Sequence, residues 1–296
     1  FTFAKELDQT MPLLGAHMSV AGGIYKAAEE SAAHQCQTVQ VFTKNASQWK
    51  GKPLAQEDID NFRRAAKKAE LKHNLSHNSY LINLASPDDE LFAKSIEAFV
   101  DEMERAEQLE LDYLVAHPGA HVKTGEEAGI KRIALGLDEI QRRCSDFKVM
   151  ILLEITAGQG TTLGYKFDHM GQIFKQTKHA DKLGICFDTC HAFAAGYPLF
   201  PKVDYDATWQ EFDTLIGINK LKAFHLNDSK KGLGSRVDRH EHIGKGALGL
   251  EPFRLILNDP RFANLPMVLE TPKEEGDNHD MDGVNLTALR DLLQSN

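Results

Sequence analysis

The chain has 296 residues and a mass of 33.0 kDa, enough for one large α/β domain or two ordinary ones. Its 42% hydrophobic and 26% charged residues exclude disorder and fibre, and no apolar run approaches the roughly 18 residues of a membrane span. A formal charge of −9 with a pI near 5.8 argues against coating nucleic acid by bulk electrostatics, but leaves binding through a local face open.

Asp8 and Gln9 stand where an apolar signal core would sit, so no secretory signal is expected. Four cysteines (Cys36, Cys144, Cys186, Cys190) without CxxC spacing make no disulfide framework, and a reducing, cytoplasmic compartment is expected. The first ten residues match no motif, and residues 1–12 are expected to form a flexible extension.

From there the chain alternates short apolar runs with longer helical stretches. Leu13 to His17 reads as a strand and Gly23 to His34 as a helix. Val39 to Phe42 is the next strand, followed by Ile59, Phe62, Ala65, Ala66 and Ala69 at helical spacing. Asn74 to His77 is a weak strand, and Ile96, Phe99, Val100, Met103 and Ala106 share one face of the helix behind it. Tyr113 to Ala116, Met150 to Ile155, Leu183 to Phe187, Leu221 to Leu226 and Met267 to Leu269 complete eight strands. Helical patterns near 130–137, 170–174, 208–216, 253–257 and 286–293 fill the gaps. Strands alternating with helices imply parallel pairing, and unbroken apolar strands imply burial on both faces. The pattern predicts an α/β fold, a (β/α)8 TIM barrel forming a single domain over residues 13–296. No GxGxxG follows the first strand to favour a doubly wound sheet.

In such a barrel the site lies where the strands end. His77 ends the third strand, His117 the fourth and Glu154 the fifth; Asp188 and His191 close the sixth, His225 the seventh and Glu270 the eighth. The loop after the seventh strand adds Asp238 and His240. One such residue is usually a capping or structural group, but six consecutive strands aiming His, Asp or Glu at one rim are not independent accidents. Five histidines and four carboxylates converging on one pocket need cations. Imidazole with carboxylate and no thiolate suits zinc, manganese or iron. Nine groups, one of them shared, suit three ions, an arrangement used for in-line displacement at phosphorus.

At these residues the sequence resembles the endonuclease IV family of apurinic/apyrimidinic endonucleases. The resemblance is carried by Gly15-Ala16-His17, Phe42-Thr43-Lys44-Asn45, His77 to Leu84, His117-Pro118-Gly119, Glu154 to Gly160, Asp188 to Gly196, His225 to Lys230 and Gly234 to His240. It implies a zinc-dependent DNA-repair enzyme that hydrolyses the phosphodiester 5′ to an abasic site in duplex DNA, leaving a 3′-hydroxyl and a 5′-deoxyribose phosphate. It also implies three zinc ions, with manganese or iron an option at one site. His77, His117 and Glu154 would hold the first; Glu154, shared, with Asp188, His225 and Glu270 the second; His191, Asp238 and His240 the third. Glu154 and Glu270 would be the catalytic pair. Three divalent ions would reduce the formal −9 to −3.

The resemblance assigns Tyr80 and Leu81 as wedges into the duplex. Lys44, Lys230 and Arg236, with Lys231, Arg239, Lys245, Lys50 and Lys52 on the same rim, are expected to contact phosphates. The family's intercalating arginine is replaced by Ser47, with Gln48 or Lys50 as candidate substitutes. His17 and His121 are read as structural or supporting groups, and Cys190 as a packing residue turned away from Asp188 by strand alternation. A monomer with no membrane contact and no organic cofactor is expected. The alternatives are a metal-dependent sugar isomerase or epimerase with one or two ions, and a non-catalytic abasic-site binder. The first leaves Asp238 and His240 unexplained, and the second leaves the complete ligand set unexplained.

Overall fold

The structure, a computed structural model, describes residues 11–277 and 279–293. The expected extension at residues 1–12 therefore lies almost wholly outside the described residues. Eight parallel strands close into a barrel: β1 (Leu13–His17), β2 (Thr38–Val41), β3 (Leu75–His77), β4 (Tyr113–Ala116), β5 (Met150–Glu154), β6 (Leu183–Asp188), β7 (Leu221–His225) and, last in the chain, β10 (Pro266–Leu269), which pairs with both β1 and β7. The antiparallel pair β8 (Asp228–Ser229) and β9 (His240–Glu241) forms a small ribbon beyond β7. Helices α1 (Tyr25–Ala33), α2 (Gln56–Lys68), α3 (Asp89–Gln108), α4 (Glu126–Arg143), α5 (Phe167–Gln176), α6 (Thr189–Ala195), α7 (Lys202–Leu215), α8 (Glu251–Leu257) and α9 (Met281–Asp291) accompany the strands.

The strands are apolar on both faces because they serve two cores. Val39, Val41, Leu114, Ala116, Ile151, Leu153, Ile185, Phe187, Phe224, Met267 and Leu269 turn outward into the layer shared with the helices. Leu75, Val115, Leu152, Cys186, Ala223 and Val268 turn inward and fill the barrel as a separate cluster. Strand side chains alternate, so the next inward position is two residues on. Those positions are His77, His117, Glu154, Asp188, His225 and Glu270, which places six polar groups in one layer above an apolar plug.

Two local features depart from the sequence pattern. Asp188 does not lead into more strand: its Oδ1 accepts from the His191 backbone N–H at 2.7 Å and caps α6. Cys190 is therefore helical, and strand alternation is the wrong reason for its placement. It is nonetheless buried, with its thiol donating to the Arg239 carbonyl at 3.6 Å. The ribbon is the second departure. The Asp228 carboxylate, itself buried, gathers the backbone N–H groups of Ser229, Gly246, Leu248 and Gly249. A side chain at Gly246 would collide with the Asp228 carboxylate and the Ser229 carbonyl, so this closure needs glycine.

Candidate metal centre

The strand-end layer holds three donor groups of imidazole and carboxylate, and a further combination of Asp188, Cys190 and His240 overlaps the second and third. His77, His117 and Glu154 form one; Glu154, Asp188, His225 and Glu270 the second; His191, Asp238 and His240 the third. Glu154 belongs to two of them through different oxygens. Its Oε2 lies 3.1 Å from both His77 Nε2 and His117 Nε2, while its Oε1 lies 3.0 Å from His225 Nδ1. Glu270 Oε2 approaches His225 Nδ1 at 3.2 Å, and Asp188 Oδ2 stands 3.9 Å from the same nitrogen. In the third group His191 Nε2 is 3.2 Å from Asp238 Oδ2, and His240 Nε2 is 3.4 Å from His191 Nε2 and 3.5 Å from Asp238 Oδ1. All nine residues expected from the sequence thus meet, in the grouping expected.

Three of the rings are held from behind by backbone carbonyls. His77 Nδ1 donates to the Asn78 carbonyl at 2.9 Å, His191 Nδ1 to the Ile155 carbonyl at 3.1 Å and His240 Nδ1 to the Glu270 carbonyl at 3.1 Å. Those bonds leave Nε2 free to face its group, the usual arrangement behind a metal-ligating imidazole. Asn227 donates its side-chain amide to Asp188 Oδ2 at 2.7 Å and accepts the Glu270 backbone N–H at 2.8 Å.

Burial works against every charge here, yet the charges persist. His225 and His117 hold the Glu154 carboxyl well below the usual carboxylate range, and His225 with His17 does the same for Glu270. Conversely Asp188, Asp238 and Glu154 hold His191 well above the ordinary imidazole value, and Cys186, Glu270 and Glu154 hold His225 there. His191 facing it brings Asp238 down to about 2. Buried carboxylates that draw protons onto their neighbours are a site built for positive charge. Three groups of hard and borderline donors fit divalent cations of the zinc, manganese or iron kind. Burial pushes the thiols up, Cys36, Cys186 and Cys190 to about 12 and Cys144 to about 11, and of the four only Cys190 shares a donor group, with Asp188 and His240.

The centre is shut below and open above. Glu154, Asp188 and His225 are fully buried, whereas the His117 and Asp238 side chains are 31% and 42% exposed. A cavity of about 190 Å³ beside them is lined by His117, Gly158, Gln159, His191, Asp238 and Arg239.

Around this opening the expected DNA contacts divide. Tyr80 is 64% exposed beside His77, with ring centroids 5.6 Å apart, and Leu81 is half-buried next to it. Arg236 is exposed and lies over the Tyr165 ring at 4.1 Å, and Lys230 is half exposed with Glu241 3.9 Å away. Ser47, Gln48 and Lys50 are exposed. Lys44 is the correction. Its amine is 2% exposed, 2.6 Å from Glu102 Oε1 and 3.4 Å from Asp101 Oδ2, so its charge is spent inside the protein and does not face a phosphate. Glu102 also accepts the Thr43 hydroxyl at 2.8 Å and the Ser79 backbone N–H at 3.1 Å, which ties the loop after β2 to the loop that carries Tyr80. The partner of Lys44 sits on α3, 58 residues away, and local sequence carries no sign of it.

His17 contacts Glu270 at 3.3 Å, and His121 Nδ1 accepts the Gly125 N–H at 3.1 Å at the start of α4; neither joins a donor group. Sequence reasoning missed Gln40, which touches His225 and Glu270 from the middle of an apolar strand.

Fold and site together define a xylose isomerase-like TIM barrel, and the model of that family matches residues 28–292. Within it the likeness is narrower. The probable endonuclease 4 of Citrifermentans bemidjiense is 52% identical over 284 residues, covering 96% of this chain and all of that one. The crystal structure of endonuclease IV from Thermus thermophilus superposes with a TM-score of 0.82 at 33% identity, covering 95% of this chain and 98% of that one. The chain belongs to the endonuclease IV family. A D-tagatose 3-epimerase-like protein, 20% identical with a TM-score of 0.70 over 95% of this chain and 96% of that one, shares the fold.

Proposed function

We propose that the protein is a DNA-repair endonuclease that hydrolyses the phosphodiester on the 5′ side of an abasic site in duplex DNA, using three zinc ions. The observation that carries this reading is the third donor group. His191, Asp238 and His240 stand beside a pair already linked by Glu154, and a one- or two-ion sugar isomerase has no use for them.

His77, His117, Glu154, Asp188, His225, Glu270, His191, Asp238 and His240 would hold the zinc, which when bound would supply water of pKa about 7 and positive charge for the leaving 3′ oxygen. The chain's own residues do the rest. Glu154 keeps the first two groups at a fixed separation by committing one oxygen to each. Glu270 presents Oε2 to the space between His225 and Asp188, where it would both ligate and hydrogen-bond the attacking hydroxide, aiming it at phosphorus. His191 and Asp238 face the open side, where the leaving oxygen would lie. Thiols held at about 11–12 exclude a thiolate nucleophile at neutral pH, so attack by water without a covalent intermediate fits.

Tyr80, exposed on a loop fastened by Glu102, is placed to enter the stack at the lesion with Leu81 behind it. Opening a duplex costs about a few kcal/mol and least where a base is missing, which supports abasic specificity. Lys230 and Arg236 would hold phosphates. Among the described residues no helix is long and apolar enough to cross a membrane, and action as a cytoplasmic monomer on DNA is part of the proposal.

The test is a labelled duplex with one tetrahydrofuran abasic analogue, incubated with and without prolonged chelation. That analogue cannot undergo β-elimination, so a nick on its 5′ side is hydrolytic. A chelator-sensitive 5′ nick is expected. No nick from protein carrying its metals would overturn the reading.

A further inference from the structure

The second donor group is braced by a residue that no ligand pattern singles out. Gln40 lies in the middle of β2, fully buried, with Val39 and Val41 turned outward on either side. Its side chain enters the barrel beneath the centre. Its Oε1 is 2.8 Å from His225 Nε2, and its Nε2 is 2.6 Å from Glu270 Oε1 and 2.9 Å from His17 Nδ1.

Chemistry fixes which way this amide points. Turned over, its carbonyl would face the Glu270 carboxylate, two acceptors with no proton between them. In the orientation present, the oxygen accepts from His225, and the amide nitrogen faces Glu270 and His17. Two consequences follow for the centre. The Gln40 carbonyl holds a proton on His225 Nε2, so when an ion is bound and His225 keeps a single proton, Nδ1 would be the nitrogen left to ligate it. Glu270 Oε1 is occupied by the amide, so Oε2 alone faces the group.

We propose that Gln40 is a positioning residue that sets the tautomer of His225 and restricts Glu270 to one ligating oxygen. It acts through those two residues and touches neither metal nor substrate. The proposal rests on reading these residues as a metal centre, and the partners behind metal ligands typically govern affinity by about 10–100-fold.

The experiment uses the full chain and Zn2+ alone. Metal is counted per chain and its affinity measured by chelator competition in wild type, Gln40→Met and Gln40→Glu. Gln40→Met nearly conserves volume and removes all polar contacts. It should hold one ion about 10–100-fold more weakly while the others stay. 15N-histidine spectra of the loaded protein should show His225 as the Nε2–H tautomer in wild type, and in Gln40→Met the His225 signal should shift, with His17 the one other histidine affected. Gln40→Glu keeps the acceptor toward His225 but sets a like charge against Glu270, so it should keep the tautomer signal and lose the ion. Wild-type affinity and an unshifted His225 signal in Gln40→Met would overturn the proposal. Wild-type affinity in Gln40→Glu would overturn its Glu270 half. A wild-type chain that holds no ion would overturn the metal centre itself, and the proposal with it.

Discussion

Replacing Glu102 tests whether the loops flanking the DNA face are built from inside. In Glu102→Met the Lys44 ammonium, 2% exposed, loses its partner at 2.6 Å and keeps only Asp101 at 3.4 Å. The Ser79 N–H loses its acceptor as well. Removing one member of a buried pair costs about 3–5 kcal/mol. At about 2 °C per kcal/mol for a chain this size, Tm should fall by about 6–10 °C. Lys44→Met leaves Glu102 with the Thr43 hydroxyl and the Ser79 N–H as donors, so it should cost less. The double variant removes both charges and leaves mainly the unpaired Ser79 N–H, about 1–3 kcal/mol. The cycle should therefore show a coupling of about 2 kcal/mol, with Lys44→Met adding to it whatever it costs alone. Urea unfolding of the four proteins measures it. Binding to an abasic duplex across a salt series measures the competing view, because loss of a phosphate contact lowers the salt slope by about one. Lys44→Met should leave that slope unchanged. A lower slope with no coupling in stability would refute the reasoning and restore Lys44 to the DNA.

Glu270→Gln should retain binding to the abasic duplex while cleavage falls at least about a hundredfold, since a neutral amide is a poor ligand and a poor anchor for the attacking hydroxide; near-normal turnover in a gel assay would remove Glu270 from that role. Tyr80→Ala should weaken binding to the lesion by about 5–150-fold, the equivalent of about 1–3 kcal/mol of stacking, and spare intact duplex; equal losses on both would make Tyr80 structural. The metal-free centre should show its own pH dependence. His191 and His225 are raised above 6.5, so their contribution to stability is complete below pH 6.5 and is lost as pH rises through the raised values. Glu154 and Glu270 are held below 4.5, so their contribution is present above pH 4.5 and is lost as pH falls through the lowered values. Chelated protein should thus be most stable on the weakly acidic side of neutrality, while loaded protein gives up its ions as protons compete there. Melting curves of the two forms should converge on acidification, and parallel curves would contradict this account.

The sequence carried the layer of ligands because strand alternation is a short-range rule. His77, His117, Glu154, Asp188, His225 and Glu270 each stand two residues beyond an inward apolar side chain. It misplaced what depends on distant partners. Lys44 reads as a solvent-facing loop cation until α3 brings Glu102 to it. Gln40 sits in a run of apolar residues, and only barrel closure sets it against His225 and Glu270, 185 and 230 residues away. The segment after Asp188 reads as continuing strand because its residues are apolar, and the turn into α6 is made by a side chain counted only as a ligand. The ribbon of β8 and β9 is too short to leave a periodic signal.

That ribbon divides the centre by architectural origin. Every donor of the first two groups stands at the end of a barrel strand, whereas Asp238 and His240 arrive on an excursion of the chain between β7 and α8, closed on itself through Asp228. The barrel proper is thus a complete two-group vessel, and the third group is an attachment that needs only His191 from the chassis. Such a design can gain or shed its third group by the history of a single loop, leaving the strands beneath undisturbed.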